Sequence, residues 1–484
     1  METVAANPGY EAGLKNFVAQ ERAAVELLSS VGQLMYGKGV ELVFFRNHLL
    51  DISTSEALNL FNYSKTVVQK PIDVFTATQV AKALLELDLA PSKIDIGKLT
   101  WEFSEAGKKD LDRFLSTKLG SFIGADKHKF VPRDVVLYGF GRIGRIAARE
   151  LVKQAGKGQQ LRLRAIVTRT LTDEEIVKRA ALLRNDSVHG AFRGSVVEDL
   201  EKKALWINGQ MVQLIAASNP EDIDYTAYGI NNALVIDNTG VFTKRADLER
   251  HLKAKGVNKV ILTAPGKEIP NIVYGINHKE VDIDTEQIFS AASCTTNAIC
   301  PILKVIEDGI GIEKGHIETV HAYTNDQNLL DNYHKKPRRG RSAAINMVIT
   351  STGAGSAVTK AIPSLKDKLT ANAVRVPTPN GSLAIMSLNL NRKVTLEEVN
   401  EMIRNAALNG ELVNQIHYQI DPELVSSDII GDTCCSVFDS NATIVGPDGR
   451  TAVLYAWYDN EFGYTKQVIR LAKHVTKVRR LVYY

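Results

Sequence analysis

Cysteine is scarce in this chain, with four in 484 residues: Cys294, Cys300, Cys434 and Cys435. That is too few for a disulfide scaffold, and their spacing fits no CxxC-type zinc site. A cytoplasmic, reducing setting is expected, and no metal. No run of about 18 apolar residues occurs, which speaks against a membrane span. Met1-Glu2-Thr3 does not open a basic-then-apolar secretory leader. Charge of one sign is also lacking: the formal net charge is only +4, so no general field for nucleic acid exists and none is expected as a partner. Internal repeats and low-complexity linkers are absent as well. What remains is 44% apolar and 24% charged residues, an ordinary globular composition at a length that calls for two or three domains.

The first 125 or so residues read as helices. Ser53-Thr54-Ser55-Glu56 and Thr76-Ala77-Thr78-Gln79 both fit a capping box ahead of an apolar run. The run Ala81 to Leu89 stops before Pro91, and Leu111, Phe114, Leu115 and Leu119 fall at helical spacing. From Pro132 the texture changes, as "VVLYGF", "LRLRAIV", "ALVIDNTG" and "KVILTAPG" alternate with helical segments such as "IGRIAARELVKQ". Strand and helix in turn predict βαβ units on a mostly parallel sheet. Beyond residue 294, "HIETVHAY", "AVRVPTP" and "LAIMSLNLN", with a helix at "LEEVNEMIRNAAL", predict a second α+β domain with an antiparallel sheet.

Gly139-Phe140-Gly141-Arg142-Ile143-Gly144 follows the strand Val135–Tyr138 and opens a helix. In a GxGxxG turn the first glycine makes the bend, the second admits a pyrophosphate and the third allows close helix packing, so dinucleotide binding is expected. For NAD, the next strand, Leu161 to Val167, should end in an acidic residue that binds the ribose hydroxyls. It ends in Thr168-Arg169-Thr170. Arg169 is suited to a forked pair with a 2′-phosphate, which points to NADP or to use of both cofactors; as a solvated surface residue it would select neither.

Cys294 stands in "AASCTTNAIC", with Ser293 placed to cap a helix. A reactive cysteine needs a lowered pKa, and a helix N-terminus or a paired histidine can supply it. Pro301 implies a kink or a later helix start. His321, in "ETVHAYTNDQ", is a candidate base. On these residues alone, a packed small Cys294 and a structural His321 stand equally open. The stretch Lys335 to Arg341 is basic, and Arg375 lies inside a strand-like run where a charge calls for an anionic partner.

Seven segments in order, "YGFGRIGR", "SAASCTTN", "TVHAYT", "RRGRSAA", "STGAGSAV", "AVRVPTPN" and "WYDNEFGY", make residues 134 to about 478 resemble the phosphorylating glyceraldehyde-3-phosphate dehydrogenases. The leading 130 residues resemble the extension of an elongated bacterial subgroup. The resemblance implies Cys294 as nucleophile and His321 as base. It implies Thr324, Arg339 and Arg375 for the substrate phosphate, and Ser293, Thr295, Thr352 and Gly353 for inorganic phosphate. Asn460, Tyr464, Thr239, Thr263 and the loop at Arg142-Ile143 would flank the cofactor. It implies a homotetramer as well, since the basic stretch falls in a loop that reaches a neighbouring subunit. The expected domains are a helical extension over 1–130, a Rossmann-type NAD(P) domain over 131–293 completed by a helix over 460–484, and a catalytic domain over 294–459.

Departures leave alternatives. Thr168-Arg169 stands where an Asp is common, and Ala298 where a second cysteine is frequent. Asn325-Asp326 and "DQNLLDNYH" resemble the erythrose-4-phosphate dehydrogenases, which would hydrolyse the thioester, whereas retained Thr352-Gly353 favours phosphate. A regulatory protein acting through the N-terminal module, whose partner the sequence does not reveal, is the third reading.

Overall fold

The computed structural model describes residues 8–124, 131–153 and 160–484, which form two compact units. The expected boundary at residue 130 falls in the stretch 125–130, outside the described residues, as does the start at Met1-Glu2-Thr3.

The N-terminal unit contains the expected helices, Pro8–Gln33, Thr54–Thr66, Val74–Glu86, Ile96–Glu105 and Leu111–Lys118. Ser53 forms its capping box: Glu56 N donates to Ser53 Oγ at 3.2 Å, and Ser53 N to Glu56 Oε2 at 2.6 Å. The second expected box is replaced by a carboxylate cap. Asp73 accepts from Thr76 N at 2.7 Å and from Thr76 Oγ1 at 2.8 Å, so the helix begins at Val74, where a negative charge also suits the helix dipole.

Beside the helices the unit carries a four-stranded sheet that the all-helical expectation left out. Its order is Asn47–His48, Glu41–Phe44, Ser92–Asp95 and Leu481–Tyr483. Leu42, Val43 and Phe44 are fully buried in a run too short for a helix. The last strand pairs in parallel with Ser92–Ile94. Accordingly the C-terminal helix spans Phe462–Val475 rather than 460–484, because the β-favouring Leu481-Val482-Tyr483 goes to this sheet. Glu41 anchors the same sheet. His48 Nδ1 and Arg480 Nη1 lie 3.0 Å from its carboxylate and Lys93 Nζ lies at 3.5 Å. Burial pushes the carboxyl pKa up, but Lys93, His48 and Arg480 outweigh it and hold the group well below its usual range.

Because that pKa is depressed on folding, Glu41 stabilises the unit above its ordinary value near 4.5 and the contribution fades as pH falls below it. Replacing Arg480 with Ala is expected to cost about 3 kcal/mol, the low end for breaking a buried pair since two cations remain. In the full-length chain, hydrogen exchange of the amides in Glu41–Phe44 and Ser92–Asp95 should accelerate about a hundredfold at neutral pH. Unchanged exchange would remove the pair from the unit's stability.

The second unit holds two large sheets. The first has the order Ile288–Ser290, Val257–Leu262, Ala233–Asp237, Arg133–Tyr138, Leu161–Thr168, Gln210–Ala216, Ala204–Ile207, Val196–Asp199, with its first six strands mutually parallel. The chain starts in the middle at Arg133–Tyr138, adds Leu161–Thr168, goes to the edge at Val196–Asp199 and works back to Gln210–Ala216, then crosses to Ala233–Asp237 on the other side. That reversal creates a crevice at the carboxyl ends of the strands, beside Gly139. Apolar residues on both faces, Leu137, Leu163, Ile236 and Ile261 on one and Val136, Val167 and Val235 on the other, bury it.

The second sheet runs Val348–Thr350, Leu369–Val376, Ile312–Ala322, Ser382–Leu390, Thr451–Tyr458, Ser436–Asp439, Ile416–Gln419. It is mixed rather than purely antiparallel. Ile312–Ala322 pairs in parallel with Leu369–Val376, because a long crossover containing helix Ala354–Ala361 returns the chain to the same end. The helix expected over Leu396–Leu408 has those bounds. No helix among the described residues is long and apolar enough to cross a membrane.

Candidate active site

Cys294 lies four residues past the edge strand Ile288–Ser290 and opens the helix Cys294–Gly309. Four bonds fix this turn. Ser293 Oγ caps the helix by accepting from Thr296 N at 3.0 Å, Asn297 Nδ2 donates to the Ala291 and Ser293 carbonyls at 2.9 Å each, and Tyr464 Oη donates to Ala292 O at 2.9 Å. They hold Ala292 at φ 55°, a left-handed conformation that costs a side-chain-bearing residue energy and turns the chain sharply before the cysteine. The helix therefore begins at Cys294 and runs through Pro301 without the later start that the proline suggested. Pro301 forfeits one backbone bond in a helix whose first turn is already secured.

His321 and Arg375 are paired across adjacent parallel strands, and alternation places Thr319 with His321 and Ala373 with Arg375 on the face towards Cys294. Cys294 Sγ and His321 Nε2 are 3.6 Å apart. His321 Nδ1 lies 2.7 Å from Ala322 O. A carbonyl can only accept and a guanidinium can only donate, so these two neighbours of Nδ1 favour opposite tautomers; in the form with the proton on Nδ1, Nε2 presents its lone pair to the thiol. Arg375 Nη1 donates to the same carbonyl at 2.9 Å and sits 2.8 Å from Nδ1. Burial, followed by Arg375 and Arg339, pushes the His321 pKa down to about 4, so the ring is neutral and able to take a proton. The expected lowering of the Cys294 pKa does not appear in the isolated chain. Burial pushes the thiol up, and the opposing influence of Arg375 is smaller. The resting pair is a thiol beside a neutral imidazole.

These groups border a cavity of about 460 Å³. It brings together Ser293, Cys294, Thr295, His321, Thr352 and Gly353 with the two predicted arginines, Arg339 and Arg375. Three lysines that the sequence reading did not assign, Lys267, Lys336 and Lys360, share the lining, and no carboxylate among the described residues does. Tyr458, also unassigned, lies 3.1 Å from Thr295 Oγ1 through its hydroxyl. Its place opposite Ser382 in the pairing of two distant strands leaves no local sequence signal. Thr324 stands outside the lining, half-buried on the loop that leaves the His321 strand. On that loop Asp326 pairs with Arg339, whose Nε also donates to Thr350 Oγ1 at 3.1 Å.

The crevice of the parallel sheet fits a dinucleotide. Gly139 has φ 94°, and a Cβ on Gly144 would meet Gly139 O at 2.5 Å, so only glycine lets the helix start this close to the turn. Space beside Gly141 is open, and Asn238 Oδ1 is buried at the same strand ends with no protein partner among the described residues. Thr239 packs against Gly139, and Thr263 ends the neighbouring strand. Phe140 and Ile143 turn into the core, which leaves their backbone for a ligand. Arg142 is bound to Glu461 and Asp186. Asn460 accepts from Ser382 Oγ at 2.8 Å, and Tyr464 is buried beneath the cysteine turn. Arg169 is exposed just beyond Leu161–Thr168.

The thiol's raised pKa gives a direct expectation. Alkylation of Cys294 by iodoacetamide should keep accelerating up to and beyond pH 9, and Arg375→Gln should move its midpoint higher still, since the guanidinium favours the thiolate. A wild-type midpoint below about 7.5 would contradict this electrostatic balance.

Comparison with known proteins agrees with this geometry. Residues 133–245 match the glyceraldehyde 3-phosphate dehydrogenase NAD binding domain, and residues 293–460 match the C-terminal domain of the same family. A glyceraldehyde-3-phosphate dehydrogenase-like protein of Pseudomonas aeruginosa is 46% identical over 93% of this chain and 98% of its own length, a span that takes in most of the N-terminal unit. The glyceraldehyde-3-phosphate dehydrogenase of Clostridium pasteurianum is 39% identical over 72% of this chain and 99% of its own. That of Geobacillus stearothermophilus is 40% identical over 70% and 97%. Joined to the cysteine turn, the His321–Arg375 register and the glycine crevice, these matches establish that the chain belongs to the glyceraldehyde-3-phosphate dehydrogenase family.

Proposed function

We propose that this chain oxidises D-glyceraldehyde 3-phosphate and phosphorylates the product to 1,3-bisphosphoglycerate, with reduction of NAD or NADP. The carrying observation is Cys294 facing Nε2 of His321 in a cleft lined by five cationic side chains and, among the described residues, no carboxylate. His321 takes the thiol proton as Cys294 Sγ adds to the aldehyde carbon, and the resulting imidazolium then faces the new oxyanion. The nicotinamide, when bound, supplies the hydride acceptor. Oxidation leaves a thioester on Cys294. Inorganic phosphate held by Ser293, Thr295, Thr352 and Gly353 attacks it, releasing the acyl phosphate and returning the thiolate. Arg375 and Arg339 hold the substrate's own phosphate, and positioning of two anions supplies much of the rate. Arg339 exchanges Asp326 for that phosphate.

Release by water, as in an erythrose-4-phosphate dehydrogenase, is disfavoured by Thr295, Thr352 and Gly353 lining the same cavity as the cysteine. A purely regulatory protein would have no use for the aligned cysteine, histidine and arginine. A homotetramer is supported by the loop carrying the basic stretch, where Leu329, Leu330, Tyr333, Ile345 and Met347 are exposed. Four free thiols fit a cytoplasmic setting.

Steady-state assays should show NAD(P)H formation that requires phosphate, and Cys294→Ala should lose at least about a thousandfold in kcat. Turnover without phosphate, with preference for the four-carbon aldehyde, would favour hydrolysis, and full activity of the alanine variant would refute the assignment. For the cofactor, exposed Arg169 supports NADP or dual use; Arg169→Asp should shift the kcat/KM ratio towards NAD, and an unchanged ratio would discharge Arg169 as selector.

A further inference from the structure

His251 takes no part in the chemistry above, yet it is 1% exposed and its Nε2 lies 2.9 Å from Asp237 Oδ2. It sits on helix Arg245–Lys253, with its ring held edge-on by Tyr138 at 4.7 Å and Phe242 at 5.9 Å. Its Nδ1 is buried without a hydrogen-bond partner among the described residues. The nitrogen that faces the carboxylate therefore carries the proton and donates it.

Asp237, itself fully buried, distributes that anchor. Its other oxygen accepts from Thr239 N at 2.8 Å and Thr239 Oγ1 at 2.6 Å. Its main-chain carbonyl accepts from Thr263 N at 3.0 Å and Thr263 Oγ1 at 3.1 Å. Thr239 Oγ1 in turn accepts from Val241 N at 3.1 Å. The loop so fixed presses on the glycine turn: a Cβ on Gly139 would lie 3.1 Å from Thr239 Cγ2 and 3.3 Å from Thr239 N. Asp237 thus fixes through its carboxylate the loop that packs on Gly139, and through its main-chain carbonyl holds the neighbouring strand end at Thr263.

We propose that His251 is a positioning residue for the cofactor: its hydrogen bond locks Asp237 in the orientation that holds Thr239 against Gly139 and so shapes the pyrophosphate cradle. The proposal rests on the cofactor site described above. Without the donor, a buried carboxylate oxygen loses its partner, and the carboxylate regains freedom to rotate away from Thr239.

The test uses the full-length enzyme. His251→Phe keeps an aromatic ring between Tyr138 and Phe242 and removes only the donor, whereas His251→Gln restores a donor of similar reach. In His251→Phe, the KM and fluorescence-titrated Kd for the nucleotide should rise about tenfold, as for loss of a hydrogen bond to a charged group. With saturating nucleotide, kcat should stay within about twofold and the aldehyde KM should not move, since no contact to the reacting atoms is lost. His251→Gln should recover most of the nucleotide affinity. If His251→Phe does not accumulate folded, His251→Asn, too short to reach Asp237, takes its place against His251→Gln. An unchanged nucleotide KM, a joint change in kcat and both KM values, or failure of Gln to rescue would overturn the proposal. Thr239→Val separates the two levels. If it raises the nucleotide KM while the His251 variants do not, the relay falls and the cofactor site stands; if it has no effect either, the cofactor site falls with it.

Discussion

The carbonyl of Ala322 is the point from which the active site takes its direction. It accepts from Arg375 Nη1 and, in the tautomer that turns a lone pair to Cys294, from His321 Nδ1, and so holds the imidazole and the guanidinium side by side. A rotated ring would offer Cys294 a proton rather than a lone pair. The parallel register of Ile312–Ala322 and Leu369–Val376 is what brings donor, carbonyl and guanidinium together, so the crossover that sends the chain back in the same direction is a condition of the chemistry.

Burial sets the electrostatics. The same desolvation that makes His321 a neutral acceptor disfavours the Cys294 thiolate, so the isolated pair stores no reactive anion. A thiol that ionises only as its proton passes to the neighbouring ring is protected from indiscriminate attack. The cations of the cleft would then act, in the proposed reaction, on the substrate's negative charges and on the oxyanion formed during addition.

Much of this was legible in the chain. The glycine turn, the cysteine at a capped helix start and the histidine at a strand end each carry local chemistry, and a local pattern can be read. Their meeting could not be read locally, because the His321–Arg375 pairing depends on register between strands separated by a long crossover. The lysines at 267, 336 and 360 were missed for the same reason: each looks like a solvated surface residue until two loops and the helix Ala354–Ala361 converge. Asp73 displaced Thr76 as a cap because the motif was matched on hydroxyl spacing, whereas the neighbouring carboxylate is the better acceptor. In Cys294 the two classic activators were correctly placed, but burial, which no sequence pattern weighs, reversed the sign.

The small sheet of the N-terminal unit closes with Leu481–Tyr483, next to a strand made almost four hundred residues earlier, Ser92–Asp95. On the ribosome, Ser92–Asp95 emerges long before its neighbour exists, and until then it presents an open edge of unpaired amides and carbonyls. The unit can be completed only after the whole catalytic portion has been synthesised. A chain interrupted anywhere in between is left with Ser92–Asp95 as an open edge that no later strand can cover.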